Sequence, residues 1–378
     1  MRYLIFEYQY EGHYIEYIRH ILWYAKEYQP CDEFHIVVPN KYEKHLDSFP
    51  TSDKIFFHFL SDKILKRLSK TGKLSIITHS FVRCRTVAEY IKHYNIDKTI
   101  LITSINYLFG IGLIIPQNSY ISAIEYIIPR HRPDNISSLK KLEDRFRMWT
   151  YSHTKQLKNI FLLNDEDSAE IYNNNYRTSK FKFLPDPIDC IVNSNEYSAI
   201  SNRRITILHA GRFRKEKGTF DIFEALRLLD DNERSKFKFI LCGESIVPED
   251  NERAKKEILD LSNIMDVEYH PGFVSEKFLH NLYVRSDYVL MPYHNYFQSS
   301  GNLGHAASYR KPVIGPGDGL LGNLIEKYSL GITLESLDAT GIVKALRKIL
   351  TSSNSKSYRF NDYVRRCSPY DFSRILLS

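Results

Sequence analysis

Short apolar, β-branched runs alternate with segments of helical period along this chain, and the alternation runs through twice. This constrains the fold more than any other feature. Strands separated by helix-length connections pair in parallel, with the helices covering the sheet. In the first half, residues 2–8, 34–38, 54–59, 74–78 and 99–103 read as strands, and 13–28 and 86–94 as helices. The most apolar stretch, 100–116, contains Thr103, Ser104, Asn106 and two glycines. It falls short of a membrane span and reads as a buried strand running into a loop. A basic segment, 130–158, carries an expected helix over 138–156, and strands are expected at 159–163 and 180–184.

Two prolines within three residues, Pro185-Asp186-Pro187, then stop regular structure. The Ser- and Asn-rich stretch 193–203 reads as a linker. Beyond it the same grammar starts over. Strands are expected at 205–210, 237–242, 266–270, 287–291 and 312–314, and helices at 219–229, 253–263, 276–285, 303–309, 321–327 and 340–350. The expected fold is α/β: two doubly wound parallel-sheet domains facing a cleft, over 1–192 and 203–365, with a closing helical segment, 366–378. Open parallel sheets bind ligands beyond the carboxyl ends of their strands, so the turns there are where chemistry is sought.

Lys and Arg exceed Asp and Glu by seven, which suits anionic ligands such as nucleotide phosphates or acidic lipids. The five cysteines, Cys31, Cys84, Cys190, Cys242 and Cys367, are scattered and odd in number. They form no disulfide framework or zinc spacing, and a reducing, cytoplasmic setting is expected. The start of the chain turns polar too quickly for a signal peptide. No aspartate pair stands out as a metal clamp, so no metal is expected.

Three glycine-containing turns follow strands. In the first, His209-Ala-Gly-Arg-Phe-Arg-Lys-Glu-Lys-Gly218, Gly211 allows a tight turn while Arg212 and Lys217 are spaced to grip two sides of a diphosphate. A solvated basic loop is the plain alternative. In the second, Tyr296-Phe-Gln-Ser-Ser-Gly-Asn-Leu-Gly304 opens a helix. Ser299, Ser300, Gly301, Asn302 and Leu303 offer hydroxyls and helix N-terminal N–H groups to phosphate, or ordinary serine capping. In the third, Gln9-Tyr-Glu-Gly-His13, Gly12 suits close approach to a phosphate and His13 an acceptor, or the turn simply joins a strand to a helix. His79 reads as a catalytic or a core-edge histidine at the end of a strand. The run Lys63, Lys66, Arg67, Lys70, Lys73 reads as a lipid contact or a solvated helix face.

Taken together, these residues resemble glycosyltransferase family 4 and its relatives of the two-Rossmann-domain (GT-B) fold, over about residues 159–377. The resemblance rests on Gly211-Arg212 with Glu216-Lys217-Gly218, on Gly272-Phe273-Val274, and on Ser286-Asp287-Tyr288-Val289-Leu290-Met291-Pro292. Lys311-Pro312-Val313-Ile314, Ile325-Glu326 to Gly331, and the ending Tyr370-Asp371-Phe372 complete the order. It implies that Gly211, Arg212 and Lys217 meet a diphosphate and that Val274 lies at the nucleobase. It also implies that the last helix crosses back to the N-terminal, acceptor-side domain. Two acids that the family usually carries are replaced here by Phe297 and His305, and the stretch Leu101-Ile-Thr-Ser-Ile-Asn106 lacks the family's histidine. His305 is then placed to donate to a ribose hydroxyl.

The resemblance implies a transferase that moves a sugar from a nucleoside-diphosphate sugar, with retention, to a saccharide or lipid-linked saccharide in bacterial surface polysaccharide synthesis. Arg212, Lys217 and His13 are its expected catalytic residues, and it uses no cofactor beyond the donor. No nucleic-acid partner is expected; peripheral contact with the inner membrane surface is. The rival readings are an inverting transferase or sugar-phosphate epimerase using His13, His79 or Glu11 as base, and a catalytically silent nucleotide-binding paralogue.

Overall fold

The computed structural model of the chain describes residues 1–10, 14–69, 75–189, 204–351 and 357–378. Two compact units emerge. One comprises Met1–Arg130, Asp134–Pro187 and Ser368–Ser378, the other His131–Pro133 and Ile188–Cys367.

The first unit is built on seven described parallel strands, β1 (Arg2–Phe6), β2 (Glu33–Pro39), β3 (Ile55–Leu60), β4 (Lys98–Leu101), β5 (Tyr120–Glu125), β6 (Leu157–Leu163) and β7 (Phe181–Leu184), ordered β3-β2-β1-β4-β5-β6-β7. β1 is apolar without alternation and buried along nearly its whole length, as a central strand covered on both faces must be. Tyr3 stacks on Phe34 at 4.8 Å between ring centroids. Tyr17, Ile18, Ile21 and Leu22 of the helix Tyr14–Tyr28 pack over this face. The C-terminal helix Pro369–Leu377 joins the same core through Phe372, Leu376 and Leu377. It starts cleanly because Ser368 accepts a hydrogen bond from the Asp371 N–H and proline occupies the first turn.

One expected element is overturned. Of the expected strand 74–78, residues 75–78 are described and open a helix, Ser75–Tyr94, instead. The short run Ile76-Ile77 carries no period of its own, whereas the buried Ser80, Cys84, Val87 and Ile91 are spaced four, three and four. A side chain at Gly110 would collide with Ser80 and Cys84, so the following loop lies directly on this helix. His79 therefore sits inside a helix, not at a strand end. β5 escaped the periodicity reading because polar residues interrupt it: Ser122 accepts a hydrogen bond from Asn159 Nδ2 at 3.1 Å.

The second unit holds six described parallel strands, β8 (Ile205–Ala210), β9 (Phe237–Cys242), β10 (Asp266–His270), β11 (Tyr288–Leu290), β12 (Val313–Pro316) and β13 (Gly331–Leu334), ordered β10-β9-β8-β11-β12-β13. Ile207, Phe239, Leu241, Leu290 and Ile314 pack with Ile222, Phe223 and Leu226 of the helix Thr219–Leu228 and with Ile342, Leu346 and Ile349 of the helix Ala339–Thr351. The fold is α/β with two Rossmann-like parallel sheets. No helix among the described residues is long and apolar enough to cross a membrane.

Candidate functional site

In the second unit the winding reverses at β8, whose neighbours are β9 and β11, so the loops after β8 and β11 diverge from a shared crevice. After β8, Gly211 turns the chain with φ +119°. Phe213 is buried, 6.0 Å from the His209 ring, and anchors a loop that leaves Arg212 exposed. The turn Lys215–Lys217 ends at Gly218, with φ +66°, where a Cβ would strike the Pro292 carbonyl. Only glycine closes this loop onto the β11 exit.

Lys217 is half-buried, with its ammonium 3.6 Å from the centre of the Tyr293 ring. Burial, and then the charge of Arg214, push its pKa down to about 8. A cation both desolvated and repelled by a neighbour is ready for an anion.

Asn302 donates from Nδ2 to the Ala210 carbonyl at 2.6 Å and to the Tyr293 hydroxyl at 2.8 Å, tying the second glycine-containing turn to the end of β8. The helix Gly301–Ser308 follows, and the Ser300 side chain makes no capping bond. It interacts instead with the Tyr293 hydroxyl. Leu303 is fully buried, and its N–H donates to the Ser300 carbonyl, so it holds the turn from beneath. His305, half-buried, stands 5.8 Å from the Tyr283 ring. The Phe297 ring lies under the Arg132 guanidinium at 4.5 Å. Val274 follows β10 beside Phe273, which is 100% exposed, and Gly272 takes φ +77°.

The structure thus brings Gly211, Arg212, Lys217, Ser300, Gly301 and Asn302 to one end of the sheet around β8 and β11, with Ser299 beside them in sequence. Val274 lies two strands away, after β10. Gly12 and His13, with Glu11, lie outside the described residues.

Two framework residues were not anticipated. His209, fully buried, sits with Nδ1 3.0 Å from the Leu290 carbonyl and Nε2 3.0 Å from the Thr219 hydroxyl. The carbonyl can only accept, so Nδ1 carries the proton and Nε2 accepts from Thr219. Burial holds its pKa near 4, and it stays neutral. Tyr293, also buried, receives both Lys217 and Asn302. The signal for each was present: a histidine inside an apolar strand, and a tyrosine directly after the Met291-Pro292 strand end.

In the first unit the winding reverses at β1, whose neighbours are β2 and β4. There Glu7, fully buried just past β1, accepts from the Thr103 hydroxyl at 2.9 Å and the Gln9 N–H at 2.8 Å. Burial raises its pKa to about 7. The buried hydroxyls of Tyr42, Tyr107 and Tyr126, all electrostatically coupled to Glu7, have no hydrogen-bond partner among the described residues. A second buried carboxylate, Glu125 at the end of β5, accepts from Tyr151 and Ser104, each at 2.9 Å.

Residues 193–366 match the family model described as glycosyl transferases group 1. No curated protein matches the chain in sequence. Among solved structures, a glycosyltransferase from Rickettsia africae ESF-5 is similar at 15% identity and a TM-score of 0.66, over 100% of this chain and 96% of that one. Sucrose-phosphate synthase from Thermosynechococcus elongatus is similar at 13% identity and a TM-score of 0.68, over 100% and 96%. Anabaena HepE, in complex with UDP and glucose, is similar at 12% identity and a TM-score of 0.65, over 100% and 98%. The likeness to these structures shows the GT-B fold, and residues 193–366 match a glycosyl transferases group 1 domain.

Proposed function

We propose that the loop 211–218 and the turn 299–302 hold the diphosphate of a nucleotide-sugar donor, and that Arg212 and Lys217 neutralise the departing nucleoside diphosphate as the sugar is transferred. Negative charge grows on that leaving group in the transition state, so preorganised cations beside it lower the barrier. The observation that carries this reading is Lys217: a half-buried ammonium, pushed down to about 8, resting on Tyr293 at the carboxyl end of β8. A diphosphate there would restore the charge compensation that burial removed.

The cationic side chains can supply this neutralisation themselves, and the proposal includes no metal. Transfer runs with retention of anomeric configuration to a saccharide or lipid-linked saccharide in bacterial surface polysaccharide synthesis, as the family resemblance implies. His305, in the first helical turns after Gly301, takes the ribose. Val274, with Phe273 beside it, takes the nucleobase. HepE is in complex with UDP, which makes UDP the first nucleotide to try.

The test is a thermal-shift panel of UDP, GDP, ADP and CMP on the intact chain, followed by calorimetric titration of the best ligand. One nucleotide should raise the Tm and bind with a Kd that Lys217→Ala weakens. A chain that none of the four stabilises would overturn the proposal.

A further inference from the structure

The turn that holds Lys217 has little packing of its own. It lies between Phe213 and Thr219, both fully buried, yet no residue of Lys215–Lys217 is fully buried. Its position must come from its neighbours. On the buried side, His209 joins the Leu290 carbonyl of β11 to the Thr219 hydroxyl, which opens the helix Thr219–Leu228. On the solvent side a second histidine makes a similar junction. His294, exposed after β11, donates its backbone N–H to the Glu216 carbonyl at 3.0 Å. Its ring meets Asp221, in the first turn of the same helix, with Nε2 2.8 Å from Oδ2. The carboxylate can only accept, so Nε2 carries the proton.

Asp221 stands on a firm base. Ile222 and Phe223, which follow it, are buried in the core of the second unit. His294 in turn directly follows Tyr293, whose ring lies against the Lys217 ammonium and whose hydroxyl receives Asn302. One residue therefore ties the helix to the Glu216 carbonyl and to the exit of β11. Lys217 sits between those tied points.

We propose that His294 and Asp221 are positioning residues for donor binding: their bond holds the Glu216-Lys217 turn over Tyr293, so that the ammonium is in place before the diphosphate arrives. They act through Lys217, and the inference rests on the reading of that lysine as a phosphate contact. Ordering the turn then costs conformational entropy on folding and not again on binding, which raises affinity without a new contact to the ligand. The plain alternative is that Asp221 only suits the positive end of its helix. In that case it would matter to stability and not to the donor.

Calorimetry separates the two, with whichever of UDP, GDP, ADP and CMP binds most tightly as the probe. His294→Ala and Asp221→Ala should each raise its Kd about fivefold. The double variant should lose no more than either single one, because each removes the same bond. His294→Gln, whose amide N–H can still reach Asp221, should recover most of the loss. In a Lys217→Ala background both alanine substitutions should leave the Kd unchanged, since the side chain they position is gone. Losses that persist undiminished in that background would overturn the proposal. Unchanged affinity in both single variants, while Lys217→Ala weakens binding, would overturn it alone and leave the phosphate reading standing. A Lys217→Ala variant that binds as tightly as the native chain would sink the phosphate reading, and this proposal with it.

Discussion

The two units share one winding and differ in the charge placed at its centre. In each, the first strand lies between the second and the fourth, so the crevice at the strands' carboxyl ends opens beside β1 in one unit and beside β8 in the other. Past β8 the chain places Gly211, Arg212 and a desolvated Lys217. Past β1 it places Glu7, a buried carboxyl with its pKa raised to about 7, coupled to tyrosines whose hydroxyls have no hydrogen-bond partner among the described residues. The topology sets where a ligand can sit; the first few side chains beyond the strand set its charge. A cationic exit suits a diphosphate. An exit holding a buried carboxyl among hydroxyls brings no cation to a phosphate, repels it once ionised, and suits a neutral, hydroxyl-bearing molecule better.

The largest expected effect tests the cationic half. Lys217→Ala should raise the Kd for the preferred nucleoside diphosphate at least tenfold, since a charge-assisted contact is worth roughly 1.5–3 kcal/mol. Glu7→Gln should leave that Kd unchanged. Calorimetry on both variants checks this. A larger loss from Glu7→Gln than from Lys217→Ala would invert the comparison.

The same lysine makes the interaction depend on pH. Its pKa near 8 in the free protein must rise when a diphosphate binds beside it, so binding between about pH 8 and 9 should take up a proton. Affinity should fall as pH rises through that range. Titrations in two buffers of different ionisation enthalpy measure the uptake, and identical heats would remove Lys217 from the phosphate contact.

Stability should also separate the units. Glu7 titrates near 7 when folded and near 4.5 when unfolded, so between those values the folded chain holds the extra proton. The stability it confers is complete below about 4.5 and is lost as pH rises through 7, by about 1–3 kcal/mol. His58 in the first unit and His209 in the second both have pKa values lowered to about 4, mainly by burial. The second unit should therefore lose stability as pH falls from about 6.5 towards 4, whereas in the first the opposite slopes of His58 and Glu7 offset each other over about pH 4.5–6.5. Hydrogen exchange of β4 and β8 amides across this range tests the difference, and Glu7→Gln should uncover the acid-side loss in β4 while leaving β8 unchanged.

What could be read from sequence follows from what leaves a local signature. The central strand β1 runs apolar without a break from Tyr3 to Phe6, and glycines flanked by cations advertise a phosphate-sized turn. β5 and β13 were missed because Ser122 and Gly331 break their runs, and 74–78 was misread because a short apolar run has no period. His209, Tyr293, Glu7 and Glu125 went unrecognised for another reason. Their roles depend on burial and on partners from distant segments, such as Thr103 for Glu7, 96 residues on. The helix Ser138–His153 was expected from its pattern, yet pattern alone assigns its apolar face to the core. Tyr151 and Arg147 instead turn inward to Glu125 and leave Leu139, Leu142, Phe146 and Trp149 exposed.

The smallest expected effect concerns His305, where the chain departs from the relatives it resembles. His305 lies four residues beyond Gly301, on the helix whose start bonds to β8 through Asn302. A neutral imidazole donates through one nitrogen and accepts through the other, so it can stand in for part of a carboxylate's contact with a ribose. Its ring also neighbours Tyr283, at 5.8 Å, which gives it a packing role. The two roles part on substitution. If His305 contacts the ribose, His305→Ala should weaken binding of the nucleoside diphosphate by about 0.5–1.5 kcal/mol, a few-fold. The 2′,3′-dideoxy analogue, which lacks the hydroxyls, should lose little. If His305 only packs against Tyr283, both ligands should weaken alike and the Tm should fall. The double comparison of side chain against hydroxyl isolates their coupling, and a coupling of zero would leave the ribose to another residue of the unit.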